Sequence, residues 1–128
     1  MSGFRYSVPE IPPSNNRYIG REARWAYQAE KKRWAGLIAV CCRPRPAEPL
    51  RGVTVRLCYH FRDRRRRDPD NFSGKMLLDG LVRCGVLEDD SFQCIRLELS
   101  ARFGEPEAYT EIIVEEGNHG GKQREDHP

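Results

Sequence analysis

From Val53 to Phe61 the chain sets Val53, Val55, Leu57, Tyr59 and Phe61 at every second position. Side chains alternate across a β-strand, so a period of two gives one apolar face and one polar face. Such a strand is stable only with hydrogen-bonded neighbours and a layer over its apolar side. The flanking sequence predicts both. Residues 4–8 (Phe-Arg-Tyr-Ser-Val) alternate as a short strand that Pro9 ends. Gln93 to Phe103, with Ile95, Leu97 and Leu99 alternating, and Ala108 to Glu116, with a Thr/Ile/Val centre, predict two more strands. The intervening Gly104 to Glu107 suggests that these two form a hairpin.

The covering layer comes from two helical patterns. Between about Arg21 and Cys42, Trp25, Trp34, Ile38 and Cys41 form an apolar stripe opposite Arg24, Lys31, Lys32 and Arg33. Three prolines within Arg43–Pro49 stop that helix. Asn71 to Cys84 predicts a second helix, with Leu77, Leu78 and Leu81 buried and Gly85 as its C-terminal stop. The order β-α-β-α-β-β implies a two-layer α+β domain over residues 1–116, with two helices on one mixed sheet. Gly117 to Pro128 reads as a disordered tail.

A chain of 128 residues has room for one modest core. Its longest apolar run, residues 35–42, is far short of the ~20 residues that span a bilayer. The first thirty residues hold no uninterrupted apolar stretch, so neither a secretory signal nor a membrane partner is expected, and the expected setting is cytoplasmic. Cys41, Cys42, Cys58, Cys84 and Cys94 are odd in number, two are adjacent, and none forms a C-x-x-C pair. With His60, His119 and His127 scattered, the expectation is reduced, mostly buried thiols and no zinc site.

Charge divides the chain. Residues 1–67 carry 16 Lys and Arg against 5 Asp and Glu, a balance of +11, while residues 68–128 carry 6 against 14, a balance of −8. Of the 22 basic residues 18 are arginine, the side chain suited to bidentate phosphate contacts, so the basic half points to a polyanionic partner.

The boundary falls at Asp68-Pro69-Asp70-Asn71. Pro69 fixes its own φ and keeps Asp68 out of the helical region, so the segment is expected to be extended, with Asp68 and Asp70 on one side. Paired carboxylates at that spacing suit Mg²⁺ or Mn²⁺. The competing reading is helix capping by Asp70 or Asn71, with Asp68 favouring the dipole. A calcium loop fails: Phe72 takes the fifth position, Gly74 comes one place late, and the twelfth residue is Asp79 where a Glu is expected. Arg64, Arg65, Arg66 and Arg67 precede the carboxylates and could clamp a phosphate, Arg67 foremost. Glu88-Asp89-Asp90 is a second acidic group, or a solvated turn. Lys75 could offset charge on a leaving oxygen, or pair with Asp79 at i+4. The loop Ile11 to Tyr18 (I-P-P-S-N-N-R-Y) has turn chemistry; Ser14, Asn15, Asn16 and Arg17 could grip DNA or simply shape the turn.

Taken together, R-R-R-R-D-P-D-N (64–71), Lys75 with M-L-L-D-G-L (76–81), L-E-D-D (87–90) and I-P-P-S-N-N-R-Y (11–18) resemble the RusA family of Holliday-junction resolvases. The resemblance implies a bacterial or phage-encoded homodimer that binds four-way DNA junctions and makes paired nicks with Mg²⁺ or Mn²⁺. By motif position Asp68, Asp70 and Asp90 look like its metal carboxylates and Lys75 like its functional lysine. Phe72-Ser73-Gly74 sets one more residue before that lysine than the family pattern has. Two other readings stay open: a DNA-binding module without catalysis, and a metal-dependent nuclease for flaps, linear duplex or RNA.

Overall fold

A computed structural model of the chain describes residues 3–18, 20 and 23–116. The tail expected from Gly117 onward lies outside them. The elements are β1 (Gly3–Val8), α1 (Ala23–Cys41), β2 (Val53–His60), α2 (Lys75–Arg83), β3 (Ile95–Arg102) and β4 (Tyr109–Glu115). Single 3₁₀ turns at Asn15–Tyr18 and Pro69–Asn71 precede the two helices. The architecture is α+β, with two helices and a four-stranded mixed sheet, in the chain order the hydrophobic periods predict.

Across the sheet the strand order is β1-β4-β2-β3. β2 pairs in parallel with β3 and antiparallel with β4, and β4 pairs antiparallel with β1. The expected β3–β4 hairpin is therefore absent. β3 and β4 flank β2 on opposite sides, so the chain after β3 must pass β2 before it pairs. A glycine-bearing link cannot say whether its strands touch; register with the most apolar strand decides that.

The odd-numbered residues of β2 (Val53, Val55, Leu57, Tyr59) are buried as the alternation requires, beneath Trp34 and Ile38 of α1 and Met76, Leu77, Leu78 and Leu81 of α2. The two helices approach closely at Gly80, where an added Cβ would sit 2.9 Å from Ile38. Trp25 departs from the expected stripe: it is 80% exposed, while Cys42 is fully buried. The stripe is thus shorter than expected and centred on Trp34 and Ile38. α2 begins at Lys75, four residues later than expected, because Gly74 adopts φ +84° at its N-cap.

The opposite face of the sheet carries the even residues of β2. Arg56 bridges Glu98 (2.8 Å) and Glu115 (2.7 Å) on the two neighbouring strands. Among the described residues no helix is long and apolar enough to cross a membrane.

Candidate nucleic-acid and metal site

Beyond β2, Phe61 still bonds to the sheet: its N–H donates to Arg102 (2.8 Å) and its carbonyl accepts from Glu105 (3.0 Å). Its ring contacts Phe72 edge-on (5.4 Å) and stacks on Phe103 (5.6 Å), making an aromatic floor under the arginine run. Arg67 lies on this floor, its guanidinium 3.9 Å from the Phe61 ring centre, and donates to Asp63 Oδ1 at 2.8 Å. Asp63 also accepts from the Arg65 N–H at 3.1 Å. The hydrogen bond from Arg67, then that from Arg65, holds the Asp63 carboxyl down at about 2. A folded loop thus presents the arginines.

Its four members differ. Arg65 and Arg66 stand in solvent, with side chains 79% and 87% exposed, whereas Arg67 is 17% exposed. Arg64 lies against Gly104, where a Cβ would come within 2.6 Å of its guanidinium. Arg67, the sequence's foremost phosphate candidate, is a packed strut as much as a free cation. Arg66 is the arginine that reaches Asp68, at 3.3 Å.

Asp68 is extended (φ −102°, ψ 140°), as the following proline requires. The chain then turns: Asn71 N–H donates to the Asp68 carbonyl and Phe72 N–H to that of Pro69, both at 3.0 Å. The expected extended geometry therefore ends at Asp68, and the period-two argument does not carry to Asp70. The capping alternative also fails in its expected form. Asp68 makes no side-chain cap bond, and the N-cap of α2 is Gly74, beyond both Asp70 and Asn71.

The loop at 11–18 is what fixes the turn. Asn15 Nδ2 donates to the Asp70 carbonyl (2.9 Å) and to Ser73 Oγ (3.3 Å). Ser14, Asn16, Arg65, Arg66, Arg67, Asp68 and Asn71 then line one open groove of about 590 Å³. Asn15 acts on the turn rather than lining this groove, and Arg17 is exposed outside it. Lys75, exposed at the start of α2, lines a smaller cleft with Asn15, Asn71 and Ser73. Its expected partner Asp79 instead faces Lys31 at 3.6 Å.

Asp90 is not brought to this groove. It follows α2 and precedes β3, whose first residue Ile95 pairs with Val53 at the start of β2. Asp68 follows the other end of β2, which at a rise of ~3.3 Å per residue is about 25 Å away. Glu88, just before Asp90, pairs with Arg51 at that far end (3.2 Å). Asp68, Asp70 and Asp90 accordingly do not converge within one chain.

One group of donors does converge among the described residues. Cys58, His60 and Glu111 each offer a ligand atom, all within 4.8 Å of one another, on the sheet face away from the helices. The chain thus has a set of side chains able to hold a metal ion. In sequence the cysteines and histidines are scattered, which is why no zinc site is expected from spacing alone. Cys58 and His60 share a strand face by their spacing, but Glu111 joins them only through the β2–β4 register, which pairs it with Cys58. No family model matches the sequence, and no curated protein matches it.

Proposed function

We propose that the chain is a divalent-metal-dependent endodeoxyribonuclease of the RusA kind, acting as a homodimer to resolve Holliday junctions by paired nicks in recombination and repair. The observation that carries this reading is the groove in which Arg65, Arg66 and Arg67 share a wall with Asp68, beside a turn that Asn15 ties down. Arginines alone would describe any phosphate-binding surface. Asp68 lies in the groove beside Arg66, and Asp70 follows on the turn that Asn15 ties down; hard carboxylate oxygens of this kind would suit Mg²⁺ or Mn²⁺. Such an ion would polarise the scissile phosphate and lower the pKa of a bound water.

The chain's own groups supply the rest. Arg65 and Arg66 seat the DNA backbone, Arg67 and Asp63 keep the loop in shape, and Lys75 offsets charge near the leaving oxygen. Asp90 completes the carboxylate set from the partner subunit, since its own lies at the wrong end of β2. Five free thiols suit a reducing, cytoplasmic setting.

Cleavage of a labelled four-way junction beside a matched linear duplex, with and without Mg²⁺ or Mn²⁺, tests the reading. Paired, metal-dependent nicks confined to the junction are expected, and Asp70→Asn should abolish them while junction binding is kept or tightened. Normal cutting by Asp70→Asn would refute the mechanism; nicks on both substrates would indicate a less selective nuclease.

A further inference from the structure

His60 is a charged-type side chain sealed into the open face of the sheet, 4% exposed, with its ring stacked on Tyr109 at 4.0 Å. Its two nitrogens have different surroundings. Nδ1 lies 2.9 Å from Glu105 Oε1, whereas Nε2 is buried without a hydrogen-bond partner among the described residues. An imidazole that donates Nδ1–H to a carboxylate carries its lone pair on Nε2. That lone pair faces Glu111 Oε1 at 3.5 Å, and Cys58 Sγ belongs to the same group within 4.8 Å. Arg5 holds the other oxygen of Glu111, leaving Oε1 turned to the histidine.

From this geometry we infer a second metal site, separate from the groove: a zinc-type centre with Cys58 Sγ, His60 Nε2 and Glu111 Oε1 as ligands and an open fourth position. Thiolate and imidazole select Zn²⁺ over Mg²⁺, which prefers oxygen. Bonds of 2.0–2.3 Å to a tetrahedral zinc set donors roughly 3.3–3.8 Å apart, so small side-chain adjustments suffice. Glu105 supplies the carboxylate behind the ligating histidine, fixing its tautomer and orientation. Binding expels the Cys58 thiol proton to solvent, and the ion then staples β2 to β4. The ligands sit on the polar face of β2 and β4, so the staple stiffens the sheet from the side opposite α1 and α2.

The test uses the full chain stripped with chelator, then titrated with Zn²⁺ and, separately, Co²⁺. One equivalent of Zn²⁺ should bind per chain, raise the melting temperature and survive excess Mg²⁺. Bound Co²⁺ should show a thiolate charge-transfer band that Cys58→Ser removes and Cys84→Ser keeps. Glu105→Gln should keep the stoichiometry and weaken affinity about 10–100-fold, as loss of a carboxylate behind a ligand does. Absence of Zn²⁺ binding, or a cobalt band unchanged in Cys58→Ser, would overturn the site. Junction cleavage is not the readout, so failure here leaves the proposed nuclease standing.

Discussion

Arg66 and Arg67 are neighbours in sequence with opposite structural duties, and they should separate by experiment. Arg66 is 87% exposed and pairs with Asp68, so Arg66→Ala should leave stability nearly unchanged. It should weaken junction binding and lower the salt dependence by about one counterion. Arg67 stacks on Phe61 and pairs with Asp63, so Arg67→Ala should cost about 1 kcal/mol of stability besides any loss of binding. Urea unfolding beside binding titrations at several salt concentrations would tell the two apart; equal stability losses would contradict this division. Cys42 gives a residue-scale prediction about pH. Burial, reinforced by Cys84 and Cys41, lifts its thiol from an ordinary 9.0 to about 12. A raised acid stabilises the fold fully below its unfolded pKa and loses that contribution as pH climbs through the folded one. The urea midpoint should therefore fall between pH 9 and 12, at ~1.4 kcal/mol per unit of separation for each such group. Cys42→Ala should flatten that fall. Tyr6, raised by burial to about 12, should account for part of the slope that remains.

At the scale of elements, the start of α2 governs where the proposed site lies. Gly74 combines φ +84° with a position where a Cβ would meet Leu57 Cδ1 at 2.3 Å and the Tyr59 hydroxyl at 3.3 Å. Gly74→Ala should destabilise by roughly 2 kcal/mol, about half from the left-handed backbone and the rest from displacing Leu57 in a closed core. Gly36 in α1 has open space around its missing Cβ, so Gly36→Ala should instead stabilise by roughly 0.5–1 kcal/mol. Thermal or urea unfolding of the pair checks both signs. The same glycine shows what the sequence could and could not disclose. All six elements were legible, because a period of two or of 3.6 is set by burial on one face. The true start of α2 was not, because Pro69 and Asn71 imitate a helix start and only a left-handed residue three places on resets it. That Arg65–Arg67 and Asp68 share one groove follows from their adjacency in sequence. The tie from Asn15 to Asp70 spans 55 residues and was not legible, and Glu111 met Cys58 only once β4 had settled beside β2 instead of β3.

For the whole molecule, the parallel β2-α2-β3 crossover decides which carboxylates lie near one another. It sends Asp70 to one end of β2 and Asp90 to the other, so a single chain cannot close a three-carboxylate site. In a two-fold dimer each surface is presented twice in reversed order, which lets one subunit's Asp90 end approach the other's Asp70 end. The proposed site then predicts complementation between inactive variants. Homodimers of Asp70→Asn lack that carboxylate in both sites, and homodimers of Asp90→Asn lack the other in both. In a mixed dimer with shared sites, both defects fall into one site and the second regains Asp68 and Asp70 from one chain and Asp90 from its partner. Co-refolding the two variants should therefore restore single nicks on a four-way junction, without paired resolution, because only one intact site exists per dimer. A site built within one chain would leave each half of the mixed dimer with its own defect and no nicking at all. Restored nicking would place the carboxylate set across the dimer. Silence, in a mixture shown by mass to contain mixed dimers, would mean that Asp90 does not act from the partner subunit and would overturn the shared site.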